Sequence, residues 1–121
     1  MAGNLVDFGN YSKASLDSVP VEQLDITIGG STKVTVSALA FRWGRFIEVD
    51  AEIVASASDN LVPIISGLPA PMTRIDIYIN TVGTSTQSEV WIGDQSAPGV
   101  LYCNAKAGTC KIHLLYLCDE I

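Results

Sequence analysis

The chain is short of almost everything from which catalytic motifs are built. It has one histidine, His113, and three cysteines, Cys103, Cys110 and Cys118, none in a CxxC spacing. Neither a zinc site of ordinary spacing nor a Cys/His nucleophile pair is supported. No GxSxG segment marks a nucleophile elbow, and no Walker loop or GxGxxG run offers its amides to a phosphate. No cofactor is therefore expected, and the chain is read as not being an enzyme. Its thirteen acidic residues nominate no glycosidase pair.

Positive charge is also scarce, with seven basic residues against thirteen acidic ones and a net charge of -6. Such a field repels phosphate backbones and anionic lipid, so nucleic acid is not an expected partner. Apolar residues make up 48% of the chain without running for the ~18 positions that a membrane-spanning helix needs. No membrane insertion is expected. The first residues, MAGNLVDFGNYSKASLDSV, lack a basic start followed by a long apolar block, which points to production in a cytoplasm. Reduced, part-buried thiols follow from that compartment, with a Cys103 to Cys110 bridge as the alternative.

What is present is strand. Residues 1 to about 22 show no period and read as an arm or linker ahead of a single domain over 23–121. From Gln23 onward, short β-branched and aromatic runs alternate with Gly, Ser, Asn and Pro breaks. Eight strands are expected, over 24–28, 33–43, 46–55, 61–65, 74–80, 88–92, 99–103 and 109–117. With no helical segment, the fold class is all-β, an antiparallel β-sandwich or barrel. Pro69 and Pro71 cannot donate to a ladder, so the chain leaves the sheet at GLPAP, residues 67–71.

The segment ALAFRWGRFIEV, residues 38–49, sets the register. Gly44-Arg45 suits a two-residue type II′ loop, which wants glycine first. Val34, Val36, Ala38 and Ala40 then share the core face with Ile47, Val49, Ala51 and Ile53. The opposite face carries Leu39, Phe41, Trp43 and Phe46 beside Glu48, Asp50 and Glu52. Burying each large apolar side chain is worth ~1.5–3 kcal/mol, so this second apolar face calls for a cover. Two covers are open: the arm, with Leu5, Val6, Phe8 and Tyr11, or identical subunits.

Three constellations remain. Glu48, Asp50 and Glu52 line one face and would suit a hard cation such as calcium, but the sequence arranges no further oxygen ligands. They are read as a solvated or interface-rim stripe, with no metal assigned. His113 lies in TCKIHLLYL, apolar on both faces, and reads as a packed histidine in a central strand buried on both sides. The segment YINTVGTSTQSEVWIGDQS offers the aromatic, carboxylate and amide groups that sugar recognition uses, with Tyr78, Gln87, Trp91 and Asp94 as candidate ligand-binding residues. The alternative is that its aromatics are simply half-buried on outer strand faces.

The order of these features resembles the C-terminal head domains of bacteriophage tail-fibre and baseplate receptor-binding proteins. The likeness runs from about Lys33 to Leu117. It is carried by the hairpin FRWGRFIEV with Gly44, Ile47 and Val49, the Leu68-Pro69 break, and the closing strand GTCKIHLLYL. The resemblance implies a jelly-roll-like sandwich that forms a homotrimer and binds bacterial cell-surface saccharide. It also implies a place in a virion or tail-like particle, beside other tail or baseplate proteins. In that setting Leu39, Phe41, Trp43 and Phe46 become a candidate subunit interface. The implied alternative is a purely structural virion or tail component that trimerises and docks a neighbour without binding sugar.

Overall fold

A computed structural model describes residues 21–82 and 86–119 of the chain. Among these residues there is no helix, and nine strands form two antiparallel sheets. The strands are β1 (Glu22–Gln23), β2 (Thr27–Ile28), β3 (Val34–Trp43), β4 (Phe46–Ala55), β5 (Asp59–Ser66), β6 (Ile75–Asn80), β7 (Gln87–Ile92), β8 (Leu101–Ala105) and β9 (Gly108–Leu117). One sheet has the order β1-β3-β4-β9 and the other β2-β5-β8-β7-β6. The protein is a β-sandwich.

Pairing is nested: β6 lies against β7, β5 against β8 and β4 against β9, each pair enclosing the previous one in sequence. This is the winding of a jelly roll, with β3 added by the tight hairpin onto β4. Trp43 pairs with Phe46 across Gly44-Arg45, and Gly44 takes φ 64° while Arg45 does not turn positive. That is the type II′ pattern expected from the glycine.

The core lies between the sheets and is built mainly from alternate residues of the strands; β5, whose register shifts between Pro63 and Ile65, buries two in succession. Ile47, Val49 and Ile53 come from β4, Ile64 and Ile65 from β5, Val90 and Ile92 from β7, and Leu101 and Cys103 from β8. Burial alternates strictly along β4 and, from Cys110 onward, along β9. One face of the four-stranded sheet is thus committed to the core and the other is free for function.

Three expectations change. The strand over 24–28 is replaced by two short pieces, because the chain crosses there from β3 in one sheet to β5 in the other. Leu24 and Ile26 pack on the core during this crossing. The strand over 99–103 starts two residues late, since the Gly99 carbonyl accepts the Leu68 N–H and Val100 closes a turn on Ala97. Most consequential, β9 is an edge strand and not a central one. Its second apolar row, Leu115 and Leu117, faces outward, and so does His113. The expected arm lies outside the described residues apart from Val21 and Glu22, the latter opening β1.

Candidate functional site on the two outer sheet faces

On the outer face of the four-stranded sheet, the registers of β3, β4 and β9 set side chains in rows. Nearest the hairpin turn stand Trp43, Phe46 and Leu117, then Phe41, Glu48 and Leu115, then Leu39, Asp50 and His113, then Ser37, Glu52 and Lys111. Neighbouring strands lie about 5 Å apart, so the members of each row touch or nearly touch. Trp43 and Phe46 stack with ring centroids 6.4 Å apart. Leu39 is 52% exposed and Leu115 55%, while Phe41 and Trp43 are half-buried against their neighbours. Three strands therefore contribute to one apolar patch.

The acidic stripe on β4 runs into this patch, with Glu48 standing between Phe41 and Leu115 and Asp50 between Leu39 and His113. His113 places Nε2 2.9 Å from Glu48 Oε2 and 3.6 Å from Asp50 Oδ1. Its side chain is 66% exposed, so the imidazole is a surface group and not the packed one expected from the sequence. An open groove of about 590 Å³ runs beside it, lined by Leu39, Asp50, Glu52, Lys111 and His113 among others.

The four candidate ligand residues lie on or beside the outer face of the other sheet. There Asn80 pairs with Gln87, Tyr78 with Glu89, and Asp76 with Trp91, while β8 adds Asn104 beside Glu89 and Tyr102 beside Trp91. The Gln87 amide donates to Asn80 Oδ1 at 3.2 Å. Tyr78 is 62% exposed and donates its hydroxyl to Glu89 at 3.4 Å. The charge of Glu89 disfavours the phenolate and raises the Tyr78 pKa. Asn104 donates to the other Glu89 oxygen at 3.2 Å and accepts the Leu61 N–H at 2.9 Å, which fixes the carboxylate from both sides.

Trp91 is placed differently from an open aromatic platform. Only 5% of it is exposed, since Tyr102 stacks on it at 5.6 Å and the Arg74 guanidinium covers it at 5.6 Å. Its buried indole N–H has no acceptor among the described residues. Arg74 is itself held by Asp76 at 3.0 Å and Asp94 at 3.6 Å. The Asp94 carboxylate accepts the Ser96 N–H and hydroxyl, and these bonds hold its pKa below the usual carboxylate value. Tyr78 is thus the open aromatic of this face, with Gln87 beside it; Trp91 and Asp94 stand with Arg74 one row away.

Sequence reasoning found Leu39, Phe41, Trp43 and Phe46 but not Leu115 and Leu117 as their neighbours. The pairing of β4 with β9 joins residues more than fifty positions apart, and nothing local announces it. Tyr102 and Asn104 were missed because nothing local announces the pairing of β7 with β8; Arg74 and Glu89 were also missed, although they share the strand alternation of Tyr78 and Trp91, a signal that puts them on the outer face. All three cysteines are buried and unbridged. Burial in the core, reinforced by the nearby Cys110, pushes the Cys103 pKa up to about 12, so the thiol is inert as a nucleophile. No protein-family model matches the chain, and neither a curated protein nor a solved structure is found similar to it.

Proposed function

We propose that the protein is a non-enzymatic receptor-binding module of the phage-tail type. In this reading it self-associates as a homotrimer through the outer face of the four-stranded sheet and binds bacterial cell-surface saccharide with the outer face of the other. The observation that carries the reading is the apolar patch of Leu39, Phe41, Trp43, Phe46, Leu115 and Leu117, assembled from three strands and left partly exposed. Covering half of each such side chain is worth on the order of 1 kcal/mol, so six of them supply roughly 5 kcal/mol or more per subunit toward association. Asp50, Glu52, Lys111 and His113, in the rows further from the turn, then form a polar rim of the kind that interfaces carry, while Glu48 lies within the patch between Phe41 and Leu115.

The saccharide part of the proposal rests on Tyr78 with Glu89, Asn104, Asn80 and Gln87: one exposed ring beside fixed carboxylate and amide groups. Its test is binding of the fluorescently labelled protein to a bacterial glycan array, with Tyr78→Ala alongside. Loss of signal in the variant is the expected result; an unchanged signal removes this face as the site. Weak single-site binding, about -4 kcal/mol for a millimolar constant, is read through multiple copies in that format.

A second reading, a structural virion or tail component that docks a neighbouring protein, is favoured by the covering of Trp91 by Arg74. That contact closes the largest aromatic of the face to a sugar ring. A stable trimer with no signal on any glycan supports this reading over the first. The arm over residues 1–22 would be its docking element.

A further inference from the structure

We infer that Glu48, Asp50 and His113 form a binding site for a divalent transition cation of the zinc type on the outer face of the four-stranded sheet. The three ligands come from two hydrogen-bonded strands, whose register fixes their spacing. Asp50 lies directly across from His113, and Glu48 is the next residue of β4 on the same face. One carboxylate oxygen from each acid and a ring nitrogen of His113 all lie within 4.8 Å of one another. A tetrahedral ion with ligands at about 2.0–2.2 Å sets them about 3.3–3.6 Å apart. The observed 2.9 Å and 3.6 Å from Nε2 to Glu48 and Asp50 already bracket that range. Small rotations of partly exposed side chains complete the geometry, with no movement of the sheet.

Charge points the same way. Among the described residues, His113 is the only ion-pair partner of Glu48 or Asp50, so the two carboxylates converge beside an apolar patch with no Lys or Arg between them. A divalent cation cancels both charges. The imidazole nitrogen also sets the class of ion. Calcium and magnesium take oxygen ligands, whereas mixed imidazole and carboxylate sets suit zinc and its neighbours. Glu52, part of the stripe in sequence, stands one row further and pairs in register with Lys111, and His113 takes its place in the ligand set. The open groove leaves room for water to fill the fourth position. All three ligands belong to one chain, so the site does not depend on self-association.

The test is calorimetric titration of the full chain with ZnCl2 in a non-chelating buffer. It is repeated with His113→Asn, Glu48→Gln and, two rows away on the same face, Thr35→Ala. One zinc ion per chain is expected, with affinity falling at least tenfold in His113→Asn and Glu48→Gln and unchanged in Thr35→Ala. Cobalt(II) added instead of zinc should give visible d–d bands that His113→Asn abolishes. Circular dichroism checks each fold, and Asp50→Asn replaces any variant that fails it. Absence of saturable binding, or binding that survives loss of the imidazole, overturns the inference.

Discussion

Replacing Gly108 by alanine should destabilise the sandwich far more than the same change at Gly44, although both glycines have positive φ. Gly44 lies at φ 64° in the hairpin turn, with no atom within 4 Å of where a Cβ would stand. Only the backbone cost of a side chain at positive φ applies there, about 1–2 kcal/mol. Gly108 lies at φ 125°, outside even the left-handed helical region, and its Cβ would overlap the Val82 carbonyl oxygen and meet Thr81 Cγ2 at 3.0 Å. Val82 is the residue through which the chain beyond β6 bonds to the start of β9, by paired hydrogen bonds with Thr109 of 2.8 and 3.0 Å. Strain of about 1–3 kcal/mol and the loss of two bonds near 1 kcal/mol each sum to about 3–5 kcal/mol. Urea unfolding followed by tryptophan fluorescence measures both variants against the parent. Equal losses in the two would refute the claim that this contact closes the end of the sandwich.

The other stability and reactivity predictions follow from buried polar groups. Cys103, with its pKa near 12, stays protonated in the fold while the unfolded thiol ionises near 9, so its contribution to stability is complete below about pH 9 and is lost between there and about pH 12. Native protein should accordingly alkylate Cys103 only slowly with iodoacetamide at pH 8 and rapidly in denaturant, as mass spectrometry of the peptides will record; equal rates would contradict its burial. Tyr116 is also buried and donates to the Pro69 carbonyl at 2.6 Å. Tyr116→Phe leaves that acceptor without its partner and should cost about 1–2 kcal/mol in the same urea assay. No measurable cost would mean that water replaces the hydroxyl.

Much of the fold was legible because strand burial has a period of two and the breaks are chemical. Gly44 announced its turn, Pro69 and Pro71 announced an exit from the sheet, and the alternation of 34–43 with 46–55 fixed both faces of the hairpin. Pairing partners far apart in the chain were not legible. Two apolar rows in TCKIHLLYL satisfy a doubly buried central strand and an edge strand with an exposed patch equally well. Only the position of β9 beside β4 decides between them. The same limit hid the meeting of His113 with Glu48 and Asp50, since a cross-strand cluster has no sequence spacing. Trp91 shows the opposite limit: its strand face was readable, but not that Arg74, from the end of the loop before β6, folds over it.

The outer face of the four-stranded sheet carries the proposed association. The most direct measurement is solution mass by size-exclusion chromatography with light scattering, over a range of concentrations, for the parent chain and for Trp43→Ser and Leu115→Ser. Three chain masses are expected for the parent, with dissociation in both variants, because each removes part of the same apolar patch from a different strand. A parent that runs as one chain mass at every concentration, or a trimer indifferent to both substitutions, would contradict the proposed association.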